Sequence, residues 1–192
     1  MSLIGSVIMI RLATEKDIPR ILEIYSPYIL NTAVSFEYTV PSFEEFTLRF
    51  QEITRQFPWI VWEEDGKVLG YAYGSLPFGR AAYRWCAASS IYLVPEAQGR
   101  GIGRKLYSTL NALLTAQGYR KSYAIITSDN PGSLRFHEKL GFRFLARFEN
   151  CGIKFSKLYS VVWMEKDLNT GELPHIFPKP VEQIVNVDSF FQ

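Results

Sequence analysis

The sequence predicts an α/β (α+β) fold: about seven strands in one sheet with four helices against it, in the order β-α-α-β-β-β-α-β-α-β-β. Three observations carry that expectation. Hydrophobic residues switch along the chain between strand-like and helix-like periods. Asp65-Gly66 sits between two apolar runs, the strongest short hairpin signal. A short β-branched run, Ile91-Tyr92-Leu93-Val94, passes through a glycine-dense turn into a helical pattern carried by Leu106, Leu110, Leu113 and Leu114.

The elements follow in order. Met9–Ala13 alternates as a first strand. Thr14 reads as an N-cap, with Glu15 and Asp17 in the first turn and Ile18, Ile21, Leu22 and Tyr25 as the apolar face; Pro27 is expected to kink or end this helix, or to start a second short one. A loop covers residues 31–37. Ser42 and Glu45 have capping-box spacing, and Phe43, Phe46, Phe50 and Ile53 follow along one side of a second helix. Residues 58–63 and 68–76 form the hairpin around Asp65-Gly66, and 82–94 reads as one long strand. After the helix that Gly118 ends, 122–127 is a strand, 133–140 a short helix stopped by Gly141, and 142–148 and 153–164 the last two strands. The domain is expected over residues 9–166. Residues 1–8 read as an N-terminal extension, with Met9 an alternative start. Residues 167–192 carry several prolines and then Ile184, Val185, Phe190 and Phe191, too apolar for a plain disordered tail, and are expected to pack on the domain or on a partner chain.

Composition excludes several classes. The chain has 192 residues, 47% hydrophobic and 21% charged, as one ordinary globular domain would. A net charge of +2 gives no electrostatic basis for nucleic-acid binding. Cys86 and Cys151 make neither a disulfide framework nor a metal-spaced cluster, so no metal site is expected and a reducing, cytoplasmic setting is. No apolar run approaches the roughly 18 residues of a membrane span, and the N-terminus lacks the basic start and long apolar segment of a secretory signal.

The glycine turn, Gln98-Gly99-Arg100-Gly101-Ile102-Gly103, carries the chemistry. A helix start presents backbone N–H groups without intrahelical partners at the positive end of the helix dipole, and glycines let a ligand approach them. That is an anion site suited to phosphate. Arg100, Arg104 and Lys105 add charge around it. Both common nucleotide spacings, G-x-G-x-x-G and G-x-x-x-x-G-K-[ST], fail where Arg104 stands in place of glycine. What remains is Q-x-x-G-x-G.

Together with the later segment SDNPGSLRFHEKLGF (Ser128–Phe142), that turn resembles the GCN5-related N-acetyltransferase (GNAT) superfamily. The segments IRLATEKDIPRILEIY, TAVSFE, PWIVWEEDGKVLGYAYG, AYRWCAASSIY and HEKLGF are similar, in order, to its phosphinothricin acetyltransferase group. The resemblance implies a GNAT fold with a mixed, mostly antiparallel, twisted sheet, and acetyl-coenzyme A as the acetyl donor. It implies transfer to the primary amine of a small amino-acid-like acceptor, of phosphinothricin or methionine sulfoximine type, by direct attack, and a homodimer. It also implies roles. Backbone groups at Ile91, Tyr92 and Leu93 polarise the thioester carbonyl. Gln98, Gly99, Arg100, Gly101, Ile102, Gly103 and Arg104 hold the pyrophosphate, and Asn130 and Ser133 contact the cofactor.

One departure stands out. The group has a glutamate just before the Ser-x-x-Tyr part of the strand, its usual candidate base; here that position is Ala88, so the role does not transfer. His137 is the remaining titratable candidate for proton transfer, against the alternative of a histidine satisfied by packing. Cys86 lies on the strand face of Ala88, Ser90 and Tyr92, where a nucleophilic or an inert thiol are both conceivable. Arg80 and Arg84, flanking Tyr83, could hold an acceptor carboxylate as a fork. Phe36 and Glu37 are expected to line the acceptor pocket, with Glu37 a substitute carboxylate if the fold brings it close. His175 is read as functionally silent. Ala88 also leaves open a coenzyme-A-binding protein with lost or altered catalysis.

Overall fold

The hairpin that Asp65-Gly66 predicts is present: both residues have positive φ, 50° and 78°, the geometry of a tight two-residue turn matched to strand twist. It belongs to the computed structural model, which describes residues 7–174, 176–184 and 186–191. Most of the N-terminal extension and His175 therefore lie outside the described residues. The elements are β1 (Ile8–Leu12), α1 (Ile18–Asn31), α2 (Phe43–Thr54), β2 (Trp59–Glu64), β3 (Lys67–Ser75), β4 (Cys86–Leu93), α3 (Ile102–Gln117), β5 (Lys121–Thr127), α4 (Pro131–Lys139), β6 (Arg143–Lys154) and β7 (Lys157–Asp167). This is the order the sequence predicts. The strands form one sheet in the order β1-β2-β3-β4-β5-β7-β6. All neighbours are antiparallel except β4 and β5, which run parallel.

Two layers of helix bury the two faces. On one, α3 inserts Leu106, Leu110, Leu113 and Leu114, all fully buried. Each such side chain contributes on the order of 1.5–3 kcal/mol by leaving water. On the other, Trp59 of β2 stacks on Tyr73 of β3 at 4.1 Å between centroids and is covered by Phe46 and Phe50 of α2. Tyr25 of α1 closes on Tyr92 of β4 at 4.8 Å. The start of α2 is fastened as expected: the Ser42 hydroxyl accepts from Glu45 N at 3.1 Å, and Ser42 N donates to the Glu45 carboxylate at 2.8 Å.

The feature that matters for function is where the sheet stops being continuous. Parallel pairing of β4 with β5 covers only Cys86, Ala87 and Ala88 against Lys121, Ser122 and Tyr123. Beyond Ala88, β4 still pairs with β3 as far as Leu93, and β5 with β7 as far as Thr127. The two strands therefore part, and their facing backbone groups are left to another partner.

Three expectations need correction. Helix α1 runs through Pro27 to Asn31. Its last turn is held from outside, by buried Ile29 and by the Tyr28 hydroxyl on Leu93 O at 2.6 Å. The long strand expected from residue 82 begins at Cys86, because residues 81–83 form a single 3-10 turn closed by Tyr83 N on Arg80 O. The last hairpin turns at Phe155-Ser156, with φ 51° and 57°, and not near Asn150. Asn tolerates the left-handed conformation, so Asn150, at φ 52°, is absorbed as an irregularity within β6, between Phe148 and Gly152.

The C-terminal segment packs back on this body. Lys179 N donates to Gln117 O at 2.9 Å, the Gln117 amide donates to Lys179 O at 2.7 Å, and Val181 is buried. Val187, Phe190 and Phe191 end against the main core.

Candidate active site

Gly99 and Gly101 have φ values of 73° and 82°, where side-chain-bearing residues are strained. Gly101 is the N-cap of α3 and no side chain caps that helix. By contrast, Ser42 caps α2 and Asn130 caps α4, its Oδ1 accepting from Ser133 N at 3.0 Å. The first amides of α3 thus face outward without a partner side chain, at the positive end of a long helix. They face a groove of about 630 Å³, with Gln98, Gly99, Gly101, Gly103 and Arg104 on one wall, Asn130 and Ser133 on the other, and Ile91 and Leu93 at the parted edge of β4. The residues present fit a phosphate-bearing ligand: unmet backbone donors, no Cβ in their way, and the charge of Arg104.

Most of the predicted donor-side residues are brought together here, but three have side chains that point elsewhere. The Arg100 side chain turns away, its Nη2 donating to both carboxylate oxygens of Glu64 at 2.9 and 2.7 Å. Ile102 is buried in the core. The Tyr92 ring points to the opposite face, among Tyr25, Tyr28 and Tyr71. For Tyr92 only the backbone remains available at the parting of the strands.

At the inner end lies a second, smaller space of about 60 Å³ lined by Ser89, Ser90, Tyr107, Asn130, Ser133 and His137 among others. His137 is only 3% exposed. Its Nδ1 lies 2.8 Å from Ser133 O, and a carbonyl can only accept, so the proton sits on Nδ1. Its Nε2 is then the acceptor facing the Tyr107 hydroxyl at 2.9 Å. That hydroxyl also reaches Ser89 O at 3.0 Å and has one proton to share between them. Burial lowers the imidazole pKa below its ordinary 6.5, and only the bond to the Ser133 backbone opposes this. The ring is neutral at neutral pH and, with Tyr107, lines the smaller space. Tyr107 is the residue the sequence reading missed; the available signal was a hydroxyl on the apolar stripe of α3, where a buried phenol needs a polar partner.

The other side of the β4 edge presents Cys86, Ala88 and Ser90, which share a face with Ser75 and Tyr73 of β3 by register. Burial pushes the Cys86 thiol up from its ordinary value, with Tyr123 and Lys121 as smaller opposing contacts, so it is no thiolate nucleophile. Phe78 packs on Tyr83 at 4.7 Å and on Trp163 at 5.6 Å, an aromatic wall beside Ala88 that includes predicted Tyr83. The expected arginine fork is not assembled: the Arg84 guanidinium lies over Phe177 of the C-terminal segment at 5.1 Å, and Arg80 makes no side-chain hydrogen bond among the described residues. Phe36 packs against Gly152 and Tyr159 of the last hairpin. Glu37 accepts from Arg49 Nη1 at 2.7 Å and from the Tyr25 hydroxyl at 3.1 Å.

A family model described as an acetyltransferase (GNAT) domain matches residues 10–163. The chain belongs to the GNAT acetyltransferase family. A phosphinothricin N-acetyltransferase of Alcaligenes faecalis is 34% identical, covering 85% of this chain and 84% of that one. An L-methionine sulfoximine/L-methionine sulfone acetyltransferase of Salmonella typhimurium is 32% identical, covering 86% and 97%. A solved GNAT phosphinothricin acetyltransferase from Sinorhizobium meliloti, in complex with acetyl-coenzyme A, superposes with a TM-score of 0.83 at 37% identity, over 94% of this chain and 96% of that one. The GNAT fold and N-acetyltransferase class expected from the sequence are both borne out. Among the described residues, no helix of this acetyltransferase is long and apolar enough to cross a membrane.

The buried histidine sets a pH dependence for this acetyltransferase. Its folded-state pKa lies below the unfolded value near 6.5, so the unfolded state binds more protons in that window and stability is lost as pH falls from about 6.5 through the folded pKa. Melting curves should show wild-type Tm falling between pH 7.5 and 5.5 more steeply than that of His137→Gln. Parallel falls would show that His137 carries no such penalty.

Proposed function

We propose that this GNAT acetyltransferase acetylates the primary amine of a small amino-acid-like acceptor of the phosphinothricin or methionine sulfoximine type. The observation that carries the reading is the uncapped glycine start of α3, opening on a groove where β4 and β5 part. As a GNAT enzyme the chain takes its acetyl group from acetyl-coenzyme A. When bound, that donor supplies an activated acetyl thioester. The amides and charge at Gly99, Gly101, Gly103 and Arg104 hold its pyrophosphate. Asn130 and Ser133 flank its arm. The β4 backbone beyond Ala88, at Ile91–Leu93, would offer N–H donors to the thioester carbonyl and so stabilise charge on its oxygen. Tyr107, whose hydroxyl meets His137 Nε2 at 2.9 Å, would return a proton to the leaving sulfur. On the acceptor side this reading assigns Phe36, Glu37 and Tyr83 to the entrance, with Ala88 leaving room.

The acceptor class is supported by relatives whose names specify phosphinothricin and L-methionine sulfoximine. A cytoplasmic setting fits a thiol-bearing chain with free Cys86 and Cys151. A homodimer is supported by the last hairpin, where Phe144, Phe148, Ile153, Phe155 and Leu158 are each about half exposed or more. Single apolar residues on a surface are ordinary, but several exposed along one edge hairpin favour an interface.

The deciding assay is thiol release from acetyl-coenzyme A in the presence of phosphinothricin, methionine sulfoximine, methionine sulfone and the common amino acids. Turnover with at least one, giving the N-acetyl product by mass, is expected; tight cofactor binding with no turnover on any would overturn the reading. Gly101→Val, which combines backbone strain with a side chain over the unmet amides, should weaken coenzyme A binding tenfold or more by calorimetry, and wild-type affinity would remove the turn from the site. Sedimentation should give the mass of two chains, reverting to one for Phe148→Glu; a monomeric wild type would contradict the dimer.

A further inference from the structure

An amino-acid acceptor arrives as an ammonium at neutral pH, and its nitrogen attacks only after losing a proton. Ala88 offers no acceptor for that proton. Among the carboxylates on this side of the sheet or its loops are Glu165, Asp167 and Glu37. By register, Glu165 and Asp167 share the face of Tyr123, the β5 partner of Ala88. These two are committed. Lys121 lies 2.9 Å from Glu165 and 2.8 Å from Asp167, and Arg143 lies 2.8 and 2.7 Å from the same pair.

Glu37 differs. Its Oε1 takes the Arg49 and Tyr25 bonds, whereas Oε2 has only a long 3.5 Å contact with Arg49 Nη2. One oxygen is therefore held and the other keeps its lone pairs. Burial raises the phenols of Tyr73 of β3 and Tyr92 of β4, on the Ala88 face, and the charge of Glu37 adds a smaller push to both.

The loop that carries Glu37 is built with unusual care. Lys154 of β6 is 2% exposed, and its ammonium donates to Ile29 O at the end of α1, at 2.6 Å, and to Ser35 O at 2.5 Å. Burying an ammonium is costly unless its donors are met, so this arrangement locks the loop to the hairpin. Beside it, Gly152 leaves no space for a Cβ, because the Phe36 ring occupies it. The Tyr38 hydroxyl completes the seam on Ile153 O at 2.6 Å.

Resting on the reading of this chain as an amino-acid acetyltransferase, we propose that Glu37 is the acceptor-side proton acceptor, supplied by the α1–α2 loop in place of a β4 carboxylate, with Lys154 and Gly152 as positioning residues. Glu37 Oε2 anchors the ammonium and takes one proton as that N–H bond breaks. The freed lone pair forms the N–C bond to the acetyl carbonyl carbon, and the C–S bond breaks with its electrons going to sulfur. The second nitrogen proton ends on sulfur, and Glu37 returns its own to water. The ionisable groups that face Glu37 are Arg49 from α2, Tyr25 from α1, Tyr73 from β3, Tyr92 from β4 and Lys154 from β6.

The test is Glu37→Gln, which keeps the shape and an oxygen for Arg49. It should lower kcat/KM for the amino acid on the order of a hundredfold or more, with KM for acetyl-coenzyme A unchanged. Adding Ala88→Glu in that background should restore tenfold or more. Lys154→Met should lower kcat/KM for the acceptor without changing coenzyme A affinity, with partial rescue by Lys154→Arg; if Lys154→Met does not fold, Gly152→Ala, which displaces Phe36, should give the same split. An active wild type with an equally active Glu37→Gln overturns the assignment of Glu37 alone. A wild type that binds acetyl-coenzyme A but acetylates no amino acid overturns the functional reading, and the assignment with it.

Discussion

Parallel pairing between β4 and β5 ends at Ala88, and the functional geometry is arranged around that ending. A continuous sheet would have consumed the backbone donors of both strands. Here the strands are pulled apart by different partners: β4 stays with β3, and β5 with β7. Tyr107 from α3 sits behind the gap, with its hydroxyl on Ser89 O, and Gly103 at the head of the same helix lies against Ile91 and Leu93. One helix therefore supports the opening and, at its N-terminus, supplies unmet amides to whatever enters it.

The two sides of that opening obey different electrostatics. The donor side relies on backbone dipoles and one free arginine, since Arg100 is spent on Glu64. Its titratable member, His137, is kept neutral by burial. The opposite face is a dense tyrosine and tryptophan cluster, with Glu37 paired to Arg49 and the Glu165–Asp167 pair held by Lys121 and Arg143. A small-residue strand edge at Ala88 and Ser90 separates them. Such a layout suits an anion on the side of the α3 start.

What could be read from the sequence was local. The glycine turn, the Asp65-Gly66 hairpin and the Ser42–Glu45 box each encode their geometry within a few residues, and each is present as expected. What could not be read depends on contacts far along the chain. Arg84 looks like an acceptor ligand until Phe177, folded back from the C-terminal segment, takes its guanidinium. Lys154 looks like a surface strand lysine, and only the packing of β6 on the end of α1 reveals two carbonyls waiting for it. The final turn at Phe155-Ser156 has neither glycine nor asparagine to announce it, while Asn150 announces a turn that the strand absorbs. Pro27 has its usual local effect overridden by the anchoring of Tyr28 and Ile29.

The central claim is that the donor's pyrophosphate and arm lie between the start of α3 and the start of α4, along the parted edge of β4. Amide chemical shifts followed by NMR during titration with acetyl-coenzyme A test this most directly. The account predicts large, saturable changes at Ile91–Leu93, Gly99–Arg104 and Asn130–Ser133, and small ones around Glu52, Arg84 and Phe177, where a separate cavity lies. Saturable changes centred on that second cavity, with the Gly99–Arg104 amides unmoved, would contradict it.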